Sequence, residues 1–203
     1  MNTQMQSHLF WGINSPLTSL TGVVLFLTAS GRIGFALVCT LALLWVYVFV
    51  MTAAKLGGAY FPLWGRNMAL LFLSSLAAEI FLILLWILSP RTALECAFFV
   101  FLVPLVFMAS DLCGRVLEYD LGEVISQAAA EALILGMLIL GLALIREPLG
   151  FGSISVPGFG IARFVREEPL RFLQASSGAL ILLGYGTAVY RHYRNRYTNS
   201  EED

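Results

Sequence analysis

The chain has 203 residues, of which 59% are hydrophobic and only 12% are charged, and its mean hydropathy is +0.82. Soluble domains are about 45–50% apolar on a comparable count. The charged residues cluster between long apolar runs, so the composition predicts an all-α membrane protein with several transmembrane helices. A net charge of −1 gives no indication of nucleic-acid binding. The apolar runs leave no room within this sequence for a separate soluble domain.

The first apolar segment, from Leu17 to Thr28, is too short to cross a bilayer. It lies between Pro16 and the pair Gly31-Arg32. A transmembrane helix needs about 20 apolar residues, whereas a stretch of about 10–14 is typical of a re-entrant segment. Helices that end inside a membrane are tolerated where they lie within protein or line a cavity, and transporters bind ions at such breaks. We therefore expect this segment to enter the membrane and stop.

Five longer apolar segments follow, and we expect each to cross the membrane. Residues 116–125 place their apolar side chains on one helical face and predict a short helix on the membrane surface. The apolar loop 146–171 is expected to fold back onto the bundle or to dock on a partner. The five predicted segments are Ile33–Ala54, Met68–Leu88, Thr92–Ser110, Ser126–Ile145 and Phe172–Tyr190.

A faint internal repeat relates the two halves of the chain. Pro16-Leu17 opens a segment that closes at Gly31-Arg32, and Pro104-Leu105 opens one that closes at Gly114-Arg115. We therefore expect one membrane domain over 1–190, with six transmembrane helices in two inverted three-helix repeats of about 14–91 and 92–190. The first and fourth segments would be interrupted, and residues 191–203 would form a polar tail. Basic residues divide equally between the two sides, so the orientation stays open.

Three acidic residues are candidates for an ion pathway. Glu79 lies near the middle of its segment, where a carboxylate costs at least about 2.5–3.5 kcal/mol on insertion scales. It is either an ion or proton relay, or a protonated acid bonded to a neighbouring helix, with Ser75 one turn away. Glu131 lies about one turn inside the fifth segment and either serves the pathway or snorkels to the interface. Asp111 lines a pathway if the chain breaks near Pro104, and otherwise caps an interfacial helix end.

Motifs of soluble enzymes are missing from the sequence. It contains no Walker loop, no GxGxxG, no nucleophile elbow and no His-rich metal motif, so we expect no catalytic residues of its own. The three cysteines form no CxxC pair, and their simplest role is apolar packing. Small residues four apart, Ala132 with Gly136 and Gly184 with Ala188, predict close helix packing.

The motifs together resemble the integral membrane subunits of the Rnf/Nqr complexes. The clearest match is IREPLGFGSI at 145–154, which is similar to that family's Arg-Glu-x-x-Gly-x-Gly ending of the fifth helix. The motif residues are Arg146, Glu147, Gly150 and Gly152. Weaker similarities follow in the same order as in the family, at 14–22, 104–115 and 175–184.

The resemblance implies a paired membrane subunit that couples electron transfer to Na⁺ or H⁺ translocation. Family members hold a [2Fe–2S] cluster between two subunits, with one Cys from the first segment and one from the fourth. Here Val24 and Ser110 stand at those two positions. Cys113 is one helical turn from Ser110, but residues 1–38 contain no Cys to match it. We therefore expect no cluster and no other cofactor on this chain alone.

The resemblance further implies the location and partners of the chain. We expect the cytoplasmic membrane of a bacterium or archaeon, with lipid, a paralogous membrane subunit and other complex subunits as partners, and no nucleic acid. Two other functions stay open. One is the substrate-binding component of a vitamin-type transporter, which would purify with a ligand and a soluble ATPase pair. The other is a structural subunit, in which replacing Glu79 by Gln would change nothing.

Overall fold

The structure of the chain is a computed structural model that describes residues 20–57, 65–110, 120–156, 160–163, 170–175, 177–186 and 188. Asp111, Cys113 and the tail 191–203 lie outside the described residues. A 3₁₀ turn, η1, covers Arg171–Gln174, and strands β1 (Ser153–Val156) and β2 (Gly160–Arg163) form an antiparallel hairpin. The helices are α1 (Leu20–Ala29), α2 (Ile33–Gly57), α3 (Arg66–Leu88), α4 (Pro90–Met108), α5 (Leu121–Phe151) and α6 (Ser177–Gly186).

Four helices are long and apolar enough to cross a membrane. Helices α2, α3, α4 and α5 have 25, 23, 19 and 31 residues. At 1.5 Å per residue even the shortest is about 28 Å long, close to the thickness of the hydrocarbon core. The architecture is therefore that of a helical, multi-pass membrane protein. Within the sixth predicted segment, the structure describes a helix over Ser177–Gly186 and a helical residue at 188.

The predicted end of the first apolar segment is confirmed. Helix α1 ends at Ala29, and α2 begins only four residues later at Ile33. Between them the backbone nitrogen of Ser30 donates to the carbonyl of Phe26, and that of Gly31 donates to the carbonyl of Thr28. These bonds terminate α1 in a tight turn and leave the carbonyl of Leu27 for a partner elsewhere in the chain.

Helix α5 is longer than the sequence predicted, at both ends. The prediction of a separate surface helix over 116–125 is wrong for residues 121–125, which belong to α5. The prediction that a loop begins at Arg146 is also wrong, because α5 continues to Phe151. Ser126 does not interrupt the helix, since its hydroxyl donates to the carbonyl of Glu123 one turn back. The buried face of α5 extends without a break from Val124 to Gly150, and this packing overrides the local polar signals.

The expected interruption at Pro104 is not seen, because α4 passes through Pro104 and ends at Met108. Proline removes one backbone donor, here the partner of the carbonyl at residue 100, but the helix is packed on its neighbours there and Pro104 is buried. Transmembrane helices tolerate proline when such packing and small adjustments compensate.

Helix α2 lies at the centre of the bundle. It contacts α3, α4 and α5, and its residues Leu43, Val46, Tyr47 and Val50 are completely buried. Strand β1 contacts α2 and α5, so this part of the apolar loop folds back onto the bundle, as predicted. The ends of α1, α2 and α5 are thereby gathered in one region.

Candidate functional site

Two adjacent residues of opposite charge are buried in the last two turns of α5. Arg146 is 4% exposed and Glu147 is 1% exposed. Charged side chains are almost never this deeply buried unless they are paired or hydrogen-bonded. Their partners identify the candidate site.

Arg146 binds carbonyl groups of two segments that are far apart in the sequence, the end of α1 and the turn η1. Its Nε donates to the carbonyl of Leu173 at 2.7 Å, and its Nη2 donates to that of Gln174 at 2.8 Å. On the other side, Nη1 donates to the carbonyl of Leu27 at 2.8 Å and to Oγ of Ser30 at 3.1 Å. The guanidinium therefore caps the carbonyl end of α1, where the helix dipole favours a cation, and ties η1 to the same point.

Glu147 caps the start of α2 with its carboxylate. Its Oε2 accepts a hydrogen bond of 2.7 Å from the backbone nitrogen of Ile33, the first residue of that helix. The first backbone nitrogens of a helix lack partners within the helix, and its positive dipole end favours an anion. Arg146 and Glu147 thus hold both sides of the turn between α1 and α2, and we call this pair with its partners the clamp.

The carbonyl end of α5 is capped by the following chain. Gly152 adopts a φ of 61° and its nitrogen donates to the carbonyl of Pro148 at 3.0 Å. The nitrogen of Leu170 donates to the carbonyl of Leu149 at 3.1 Å, and Nε2 of Gln174 donates to the carbonyl of Gly150 at 2.9 Å. The last turn of α5 therefore receives external donors in place of the missing helical ones.

The clamp holds helices in position. Three nitrogens of Arg146 and one oxygen of Glu147 are engaged with backbone or hydroxyl groups of the chain. Buried charges bonded in this way stabilise one arrangement and are costly to break. The clamp keeps the short helix α1 against α2 and α5.

Glu131 lies inside the bundle. It is 7% exposed, on the same face of α5 as Ala128 and Leu135, about 15 Å from the start of the helix at 1.5 Å per residue. Snorkelling to the interface is therefore wrong for this residue, because its side chain faces protein rather than the membrane surface. Of the predicted pathway residues that the structure describes, Glu131 is the one placed in the interior.

Glu79 has the opposite placement. Its side chain is exposed on the outer face of α3. Ser75, the predicted local acceptor, donates instead to the carbonyl of Leu71. Glu79 faces outward and Glu131 faces inward, so the structure does not combine them into one site. Asp111 lies outside the described residues, and its role stays a prediction.

The residues at the two positions that the resemblance assigns to cluster ligands do not fit an iron–sulfur cluster. Val24 has an aliphatic side chain in α1, and the hydroxyl of buried Ser110 donates to the carbonyl of Phe107 at 2.8 Å. Cluster iron is held by thiolates, or in some centres by His. Val24 and Ser110 therefore provide no pair of ligands for such a cluster.

Sequence reasoning singled out Arg146 and Glu147 but not their partners. Ser30 and Gln174 were missed, and so was the backbone of Leu27 and Ile33. The one available signal was the short helix itself, since a helix that ends within a membrane needs donors and acceptors from elsewhere. The sequence matches no protein-family model, and no curated protein matches it significantly.

Proposed function

We propose that this chain is a membrane subunit of an Rnf/Nqr-like electron-transport complex in a bacterial or archaeal cytoplasmic membrane. In this role it couples electron transfer to the movement of Na⁺ or H⁺, without an iron–sulfur cluster of its own. The observation that carries the proposal is the clamp. The residues that carry the motif resemblance also hold the broken helix α1 against α2.

The four motif residues have distinct tasks at one helix end, which supports reading them as a motif. Arg146 binds the end of α1, and Glu147 binds the start of α2 on the other side of the turn. Gly152 supplies the left-handed backbone that ends α5, and the carbonyl of Gly150 accepts from Gln174. The full proposal includes six transmembrane helices in two inverted repeats and a paralogous partner subunit.

Glu131 is the residue of this proposal that handles the ion. A carboxylate inside a bundle binds H⁺ directly or coordinates Na⁺ through its oxygens, and intramembrane acids are typical of such pathways. Its position on α5, the helix that also carries the clamp, connects the ion site to the broken helix through one rigid element. Electrons travel through the redox groups of the partner subunits.

The test uses the assembled complex in sealed vesicles, with NADH or reduced ferredoxin as electron donor. We expect donor-dependent uptake of Na⁺ or H⁺, and Glu131→Gln should lower the ion-to-electron ratio at least tenfold. Glu123→Gln is the matched control, because Glu123 is exposed in the first turn of the same helix. Its ratio should equal that of the wild type.

Two results would overturn the proposal. One is the absence of donor-dependent ion uptake by an intact complex, and the other is an unchanged ratio in Glu131→Gln. The proteins that purify with the chain give a second criterion. Partners with flavin or iron–sulfur groups support electron transport, whereas a soluble ATPase pair and a bound small molecule would establish the transporter alternative instead.

A further inference from the structure

The outer face of α3 carries a stripe of exposed side chains that is apolar at both ends and polar in the middle. The polar residues, Ser75 and Glu79, are one turn apart and exposed. Aromatic and aliphatic side chains flank them above and below. The members of this α3 stripe are Met68, Phe72, Ser75, Leu76, Glu79, Ile83, Trp86 and Ile87.

The carboxyl group of Glu79 lies at mid-depth in the candidate span. At 1.5 Å per residue it is about 20 Å from the start of α3 and about 14 Å from its end. Snorkelling serves residues near helix ends, and a glutamate side chain is too short to reach either interface from here. In lipid this group would be surrounded by hydrocarbon, which has no hydrogen-bond donor to offer.

Within the described chain, Glu79 receives no hydrogen bond from a neighbouring helix. The nearest hydroxyl on the stripe, that of Ser75, already donates to the carbonyl of Leu71 at 2.9 Å. Polar groups inside membranes are retained where they bind another helix or serve a pathway. Glu79 faces outward from the described helices, on a side where a neighbouring molecule can supply a donor.

We propose that the α3 stripe is the contact surface for a transmembrane helix of a different protein, which presents a cation or another hydrogen-bond donor to Glu79. Charge complementarity favours a different protein over a second copy. Two copies meeting at this face would bring two acids together. The exposed arginines of the described chain, Arg32 and Arg91, lie at helix ends rather than at the depth of Glu79.

The inference does not depend on the electron-transport proposal, and its test reads contact rather than transport. A photoreactive benzoylphenylalanine replaces Leu76 or Ile83, on either side of Glu79, in the full chain within its native membranes. The control position is Leu94, which is 76% exposed on α4 and does not belong to the stripe. Irradiated samples are separated, and the adduct peptides are identified by mass spectrometry.

We expect both stripe positions to cross-link to a transmembrane segment of another protein that has a Lys, Arg, His or other side-chain donor within one turn of the adduct. Leu94 should give at most a tenth of that adduct. Glu79→Leu should reduce the stripe adducts at least tenfold, whereas Glu79→Gln, which keeps an acceptor oxygen, should reduce them less than threefold. Glu95→Gln, at an exposed acid near the start of α4, should leave them unchanged.

Four outcomes would overturn the inference: adducts with lipid alone, adducts with a second copy, a partner segment without a donor, or adducts that Glu79→Leu does not diminish. The cross-links of the chain with native Glu79 decide the first three, so a folding defect in Glu79→Leu leaves the test intact. A cross-linked donor helix from a protein outside any redox complex would sink the electron-transport proposal and uphold this one.

Discussion

The carboxylate of Glu147 binds the backbone nitrogen of Ile33 at 2.7 Å, across 114 residues of sequence. Each of these groups satisfies the other at a place where water is excluded, and the bond sets the start of α2 against the end of α5.

Replacing Glu147 by Leu should destabilise the chain by about 1–3 kcal/mol, because the nitrogen of Ile33 would lose its buried acceptor. Replacing it by Gln should cost less, since the amide oxygen can still accept that bond. The measurement is thermal unfolding of the purified chain in detergent. If both variants unfold at the wild-type temperature, Glu147 is not needed to hold α2.

Replacing Arg146 by Leu should cost about 3 kcal/mol or more, since the carbonyls of Leu27, Leu173 and Gln174 would all lose their donor. Arg146→Lys should recover only part of this, because an ammonium group cannot reach diverging carbonyls as the planar guanidinium does. Limited proteolysis near the α1–α2 turn checks the change locally. Equal resistance of wild type, Lys and Leu variants would contradict the capping role.

Gly136→Ala should destabilise the contact between α2 and α5, because a methyl group there would collide with Cγ2 of Thr40. Overpacking of this kind typically costs about 1–3 kcal/mol. Gly141→Ala is the matched control on the same helix, since a Cβ there meets nothing within 4 Å. Adding Thr40→Ala to Gly136→Ala should restore part of the loss, and a double variant no better than the single one would argue against the collision.

Gly152→Ala should cost about 1–2 kcal/mol because the backbone φ of 61° is strained for a residue with a Cβ. Gly152→Asn should cost less, as Asn visits this conformation more readily. Gly150→Ala separates the two motif glycines: its Cβ would lie 3.4 Å from Cγ of Gln174, which is an ordinary contact. Unfolding temperatures should therefore rank Gly150→Ala above Gly152→Asn above Gly152→Ala.

Iron analysis tests the expected loss of the cluster. Because Val24 has no ligating atom and Ser110 bonds a carbonyl, we expect no stoichiometric iron or acid-labile sulfide on the chain purified with a paralogous membrane partner. Optical and electron paramagnetic resonance spectra provide independent measurements. Two irons per subunit pair would show that Cys113 or another residue replaces the missing ligands.

Much of the helix pattern could be predicted from the sequence because hydropathy reports the length of apolar runs directly. The predicted starts of the second and third segments lie within two residues of Ile33 and Arg66. The end of the short first segment was visible for the same reason. Arg146 and Glu147 were found through their motif, although their surroundings were taken for a loop.

The orientation of side chains could not be predicted in the same way. Membrane helices are apolar on nearly all sides, so no periodic pattern separates the face of α3 that meets lipid from the face that meets α2. Glu79 was therefore expected to serve a pathway or to bind a neighbouring helix, and it is found on the outer face of α3. Glu131, for which both a pathway role and snorkelling stayed open, is found inside the bundle. The contacts of the clamp could not be predicted for a different reason. Most of the groups that Arg146 and Glu147 bind are backbone atoms, and every residue type has these atoms.

The separation of 119 residues between Leu27 and Arg146 has a consequence for biogenesis. When α1 leaves the ribosome, the guanidinium that satisfies its last turn has not yet been synthesised, because α2, α3, α4 and most of α5 are made before it. The bond between Arg146 and the carbonyl of Leu27 can therefore form only after most of α5 has been synthesised. A ribosome stalled before codon 146 would therefore leave the last turn of α1 without its cap.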